Sequence, residues 1–175
     1  MHVRNTLTEY GLISKFLHWV SAILLLVQLP LGFYLVDLDF SLERLNIENI
    51  HVIIGLTIFY LVILRLLSKI INPTPKLDPS IFKGQKLLAK LNHILLYATI
   101  LSITISGILK KLFNGETLVI FFKEFNIQDN FDLAELFYDI HVLSNYFIIA
   151  LITIHIMAVV VHKFFFNENL FKKIL

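Results

Sequence analysis

Four histidines lie inside long apolar runs of this chain: His18, His51, His141 and His155. An imidazole is costly in hydrocarbon unless a partner satisfies it, so each of the four restricts what can pack around it. The runs themselves set the fold class. A transmembrane helix needs about 20 predominantly apolar residues, and four stretches qualify, roughly 12 to 35, 48 to 71, 88 to 109 and 139 to 164. With 57% hydrophobic residues and a mean hydropathy of +0.78, the chain holds far more apolar surface than one soluble core requires. The expectation is an all-α fold, an integral membrane four-helix bundle in the lipid bilayer. It forms a single domain over residues 1–175 with short loops and no soluble catalytic domain.

Cysteine is absent, which removes disulfides, thiolate metal sites, iron–sulfur clusters and thioether-linked haem together. Any cofactor must be held through histidine. Arg4 and Lys15 precede the first apolar run as they would in a secretory signal. That run is too long for one, lacks an Ala-x-Ala-like cleavage site, and would lose His18 on cleavage, so it is expected to stay as the first helix.

Basic residues in loops set orientation. The connection between the second and third spans carries Arg65, Lys69, Lys76, Lys83, Lys86 and Lys90 against Asp78. The first connection carries Asp37, Asp39, Glu43 and Glu48 against Arg44, and the third is acidic on balance despite Lys110, Lys111 and Lys123. Lys163, Lys172 and Lys173 lie beyond the fourth span. Both termini are therefore expected in the cytoplasm. The net charge of +2 conceals this alternation and implies nothing about nucleic acid. Asn72-Pro73-Thr74-Pro75 ends the second helix, since proline lacks an amide hydrogen and disfavours helical geometry in the residue before it. Pro30 and Gly32 fall inside the first span, where a local kink is tolerable. Leu118 to Phe125, apolar and aromatic apart from Lys123 and Glu124, reads as a short interfacial helix.

Depth pairs the histidines. His141 and His155 stand fourteen residues apart, which on a helix is roughly 21 Å along the axis and a return to within about 40° around it. One helix face therefore presents two ligands, one toward each membrane surface. His18 lies level with His155, and His51 with His141. Taken singly, each would also serve as a neutral hydrogen-bonding group between helices. Two matched pairs instead suit two bis-histidine haems, because a porphyrin iron offers axial positions on opposite faces and two helices can clamp it edge-on. Gly55, one turn after His51, would let the flat macrocycle approach the backbone. Arg65 and Lys69 are candidate propionate partners on the inner side, Lys110 and Lys111 weaker ones outside. His93 opens the third helix and His162 follows His155 by seven residues. They are candidates to serve a quinone or a proton near the inner haem, since imidazole exchanges protons near neutral pH.

At these residues the chain resembles the bacterial cytochrome b561 family. The likeness runs through Leu17-His18-Trp19, Ile50-His51-Val52 with Gly55, Arg65 followed by Asn72-Pro73-Thr74-Pro75, Asn92-His93, and His141, His155 and His162 in the fourth helix. The resemblance implies a four-helix cytochrome of the bacterial cytoplasmic (inner) membrane with two non-covalent haem b groups, ligated by His18, His51, His141 and His155. It also implies electron exchange between an external donor and ubiquinone, the donor being superoxide in some relatives. Lys110, Lys111 and Lys123 could attract that anion. Two alternatives stand beside this one. The first is a haem-bearing anchor or relay subunit of a hydrogenase-like complex; the second is a histidine-lined ion or metal transporter without haem.

Overall fold

The four apolar stretches become four helices, each longer than its apolar part. In the computed structural model, which describes residues 2–75, 82–165 and 174, α1 spans Leu12–Asp37, α2 Leu42–Ile71, α3 Lys83–Phe113 and α4 Phe131–Phe165. Helix α2 starts well before its first long apolar run because Ser41 caps it, its hydroxyl accepting the Arg44 amide at 3.2 Å. Asn130 does the same for α4, its side-chain oxygen accepting the Leu133 amide at 3.1 Å. At the far end of α3, Lys110 and Lys111 occupy the last turn, where cations suit the helix dipole. Gly115 follows with φ 80, the left-handed geometry that closes a helix most cheaply with glycine. Lys76 and Asp78, and Glu168, Lys172 and Lys173, lie outside the described residues.

All four helices are long and apolar enough to cross a membrane, and no more than 17% of any apolar window is buried within the bundle. Side chains such as Ile23, Leu26, Leu64 and Phe147 are exposed to the surroundings, as a lipid-facing surface requires. The core is a narrow mid-depth seam of Leu25, Ile58, Val62, Ile100 and Ile148, drawn from all four helices. Lipid outside is as apolar as this core, so association rests on close packing and interhelical hydrogen bonds of about 0.6 to 2 kcal/mol each. Those bonds follow the helix neighbours. Gln28 Nε2 donates to the His51 carbonyl at 2.8 Å and joins α1 to α2. The hydroxyls of Ser102 and Ser144 meet at 3.0 Å and join α3 to α4. Between α2 and α3, Lys111 Nζ pairs with Glu48 at 2.7 Å.

The N-terminal segment folds back over the start of α1. Asn5 accepts both the Gly11 amide at 2.9 Å and the Ser14 hydroxyl at 2.8 Å, and it donates to the Pro73 carbonyl at 3.2 Å. Gly11 is required there, since a Cβ would come within 2.4 Å of the Arg4 backbone. Trp19 donates its indole N–H to the Ile174 carbonyl at 3.0 Å.

The interfacial helix expected over Leu118–Phe125 is instead a β-hairpin. Strand β1, Leu118–Ile120, pairs antiparallel with β2, Lys123–Phe125, Leu118 facing Phe125 and Ile120 facing Lys123. Apolar character suggested a helix, but the local chemistry is a two-residue turn: Phe121 and Phe122 both have positive φ, 49 and 63, as a type I′ turn demands. Phe121 is held from outside. Its amide donates to the Tyr60 hydroxyl at 3.0 Å and its ring packs edge-on 5.0 Å from that of Tyr60. Phe122 is fully exposed and has no such compensation. A left-handed non-glycine residue costs about 1 to 2 kcal/mol. Phe122→Gly is therefore expected to slow amide exchange in the hairpin by about fivefold, equivalent to about 1 kcal/mol. Faster exchange would show that the Phe122 ring stabilises the turn.

Candidate cofactor site

One end of the bundle holds a cavity of about 350 Å³ to which all four helices contribute, with His51 and His141 in its wall. Their rings lie 6.1 Å apart at 68°. The histidines approach because three glycines withdraw side chains from the same wall: Gly32 on α1, Gly55 on α2 and Gly107 on α3. A Cβ at Gly32 would stand 3.2 Å from His51 Cε1, and one at Gly107 would stand 3.1 Å from both Cε1 and Nδ1 of His141. At Gly55 the corresponding contact is an ordinary 3.4 Å to the Gln28 amide.

His141 carries the most informative bond. Its Nδ1 lies 2.8 Å from the Ile103 carbonyl, so Nδ1 holds the proton and donates, leaving Nε2 with an unshared pair. Ile103 is one helical turn before Gly107, and the missing side chain at Gly107 opens the path to that carbonyl. Asn145 donates to the His141 backbone carbonyl at 3.0 Å and fixes the turn. A metal-bound histidine typically donates its second nitrogen to a carbonyl, which sets tautomer and ring orientation. His141 already has that arrangement.

The donor set fits a haem. Two imidazoles bound on opposite sides of one iron have ring centres roughly 6 Å apart, given metal–nitrogen bonds of about 2 Å, and the two rings here are at that distance. Glycines and aliphatic side chains supply much of the apolar lining, to which Arg44, Glu48, Lys110 and Lys111 add charge. At the rim, Lys111 is engaged by Glu48 at 2.7 Å and by Glu116 at 2.5 Å, so two carboxylates outweigh its charge. It is thus poorly placed to bind a propionate or draw in an anion, whereas Lys110 also lines the cavity without an ion pair to these acids.

The opposite end is built differently. The ring nearest His155 is that of His93, 5.2 Å away at 73°. His18 is turned to Arg65, whose Nη2 donates to His18 Nδ1 at 3.1 Å, because a guanidinium can only donate. His18 still lies close enough to feel both His93 and His155 electrostatically. Arg65 and Lys69 both sit over the Tyr97 ring, at 5.4 and 5.1 Å. His18, His93 and His155 therefore gather at one end, more imidazoles than one iron takes axially. His162 is half-buried in the last turn of α4. Tyr10, just ahead of α1, joins this end; burial first and Tyr97 second push its phenol up, against a smaller opposing pull from Arg65, so it stays protonated at neutral pH.

Sequence reasoning singled out Gly55 and missed Gln28, Gly107 and the Ile103 carbonyl; it took Gly32 only as part of a kink. A glutamine inside the first apolar run and a glycine one level with His141 were the available signals. Gly107→Ala is expected to push the His141 ring from the Ile103 carbonyl and weaken haem retention at this end by about tenfold or more, measured as haem per chain after dilution in detergent. Full retention would show that the ring has room to move.

The model of prokaryotic cytochrome b561 matches residues 9–175. Cytochrome b561 homolog 2 of Escherichia coli (strain K12) is 31% identical over 122 residues, which cover 69% of this chain and 65% of that protein, just under two thirds of its length. With four membrane-length helices and a histidine-walled cavity between them, the chain belongs to the prokaryotic cytochrome b561 family.

Proposed function

We propose that this chain carries two haem b groups, one toward each membrane surface, and passes electrons singly between an external donor and ubiquinone. The observation that carries this reading is the facing pair His51 and His141, with the tautomer of His141 set by Ile103. Haem, held by these histidines, would supply one-electron redox chemistry when bound. The protein's part is to present neutral nitrogen, to exclude water with its aliphatic lining and to hold the ligands at fixed depth. The uninterrupted α4 keeps His141 and His155 fourteen residues apart, roughly 21 Å along the axis.

At the second level we assign His18 and His155 as ligands, with Arg65 and Lys69 as cations for the propionates; His18 would take this role on giving up the Arg65 bond, in which Nδ1 holds the lone pair and Nε2 the proton. His93, His162 and Tyr10 are left as the groups that exchange protons with a quinone. The cationic character of the α2–α3 connection favours a cytoplasmic location for this end, in the inner membrane, with the His51 end outward. Superoxide fits as the external one-electron donor; Lys110 and Lys123 are the cations on that side that the Glu48–Lys111–Glu116 cluster leaves to steer it.

Reduced-minus-oxidised spectra with haem quantification on single His→Ala variants test the ligand set. His51→Ala and His141→Ala are expected to lose one haem, His18→Ala and His155→Ala the other, while His93→Ala keeps both. Loss of a haem in His93→Ala with retention in His18→Ala would move the inner ligand to His93. For the donor, purified protein exposed to enzymatically generated superoxide is expected to show haem reduction that superoxide dismutase abolishes. Reduction insensitive to the dismutase would remove superoxide from the proposal.

A further inference from the structure

Buried hydroxyls in this bundle are satisfied. Ser21 donates to the Leu17 carbonyl at 2.6 Å, Thr104 to that of Ile100 at 2.9 Å and Ser106 to that of Ile103 at 3.0 Å. Among the described residues, the buried side-chain nitrogen and oxygen atoms left without a partner are Gln28 Oε1 and His51 Nδ1. One is an acceptor and the other is a donor in the tautomer that frees Nε2 for a metal. They belong to residues already bonded to each other, through Gln28 Nε2 and the His51 carbonyl at 2.8 Å. That bond also fixes which end of the amide is which, since a carbonyl can accept only from the nitrogen. Gln28 is about nine-tenths buried, at 9% exposure. One turn further along α1, Gly32 faces the Cε1–Nδ1 edge of the His51 ring, so this edge is directed at the α1 turn that carries Gln28.

We propose that Gln28 is the positioning residue for His51, its side-chain carbonyl taking the His51 Nδ1 proton as the Ile103 backbone carbonyl takes that of His141. The inference rests on the proposed haem between His51 and His141 and adds to it. Each orphaned buried group carries an uncompensated desolvation cost, and joining the two removes both at once. Nε2 is then left unprotonated and aimed by a bond, and acceptance of the Nδ1 proton makes the ring a stronger electron donor to iron. The outer haem would thus be held by two helices that contribute no ligand, α1 through a side chain and α3 through its backbone. Only the α1 contact can be altered by changing the group that accepts the proton.

The test uses full-length haem-loaded protein and three variants, Gln28→Leu, Gln28→Glu and His51→Ala. The readouts are haem per chain, redox titration of each haem and low-temperature electron paramagnetic resonance. Gln28→Leu is expected to keep the inner haem, which reports a folded bundle, to hold the outer one about 10- to 100-fold more weakly, and to raise its midpoint potential. Gln28→Glu is expected to retain the outer haem and lower its potential, because a carboxylate accepts the Nδ1 proton more strongly. Opposite shifts in the two variants are what a spacer role cannot produce. Equal potentials and unchanged resonance signals in both, with the outer haem present in the wild type, would overturn the role of Gln28. A wild type with no haem sensitive to His51→Ala would instead overturn the haem assignment on which it stands.

Discussion

A buried imidazole can offer a lone pair to a metal only when its other nitrogen has somewhere to place a proton. Much of the architecture at the His51 end serves that constraint. Gly107 removes the side chain that would hold His141 away from α3, and the Ile103 carbonyl behind it takes the Nδ1 proton at 2.8 Å. Asn145 braces the same turn of α4. On the other wall, Gly32 and Gln28 of α1 approach His51 and leave complementary unpaired atoms in one seam. The cavity follows from four helices that pack closely at mid-depth, around Leu25, Ile58, Val62, Ile100 and Ile148, and recede at the glycines.

The two ends differ in chemistry as well as in depth. Around His51 and His141 the lining is largely glycine and apolar side chains, and of its cations Lys111 is neutralised by Glu48 and Glu116. At the His18 end lie three imidazoles, a guanidinium, a lysine and two phenols. An aliphatic wall suits transfer of an electron alone. A donor-rich cluster suits a reaction in which electrons and protons arrive together, as quinone reduction requires. In the proposed function this asymmetry distinguishes the electron-transfer end of the bundle from the quinone end.

Much of the fold was legible because lipid imposes simple rules: apolar length, proline at Asn72-Pro73, and charge at the loop ends mark four helices without reference to packing. The fourteen-residue interval between His141 and His155 was equally plain, since helical geometry converts it directly into depth and azimuth. What could not be read was pairwise. Leu118 to Phe125 looks helical by apolarity, and becomes a hairpin because Tyr60, distant in sequence, holds the Phe121 amide in a left-handed turn. Gly107 and Gln28 went unread, for their meaning lies in which histidine they approach. His93 was placed at the opening of a helix, and only packing of α3 on α4 brings its ring to His155.

Near-infrared magnetic circular dichroism of the oxidised wild-type protein bears most directly on the central claim, because its charge-transfer band identifies the axial ligands of low-spin ferric haem. The expected result is bis-imidazole ligation for every haem in the preparation. A high-spin signal, a methionine-ligated band or a colourless protein after expression with ample haem would contradict it.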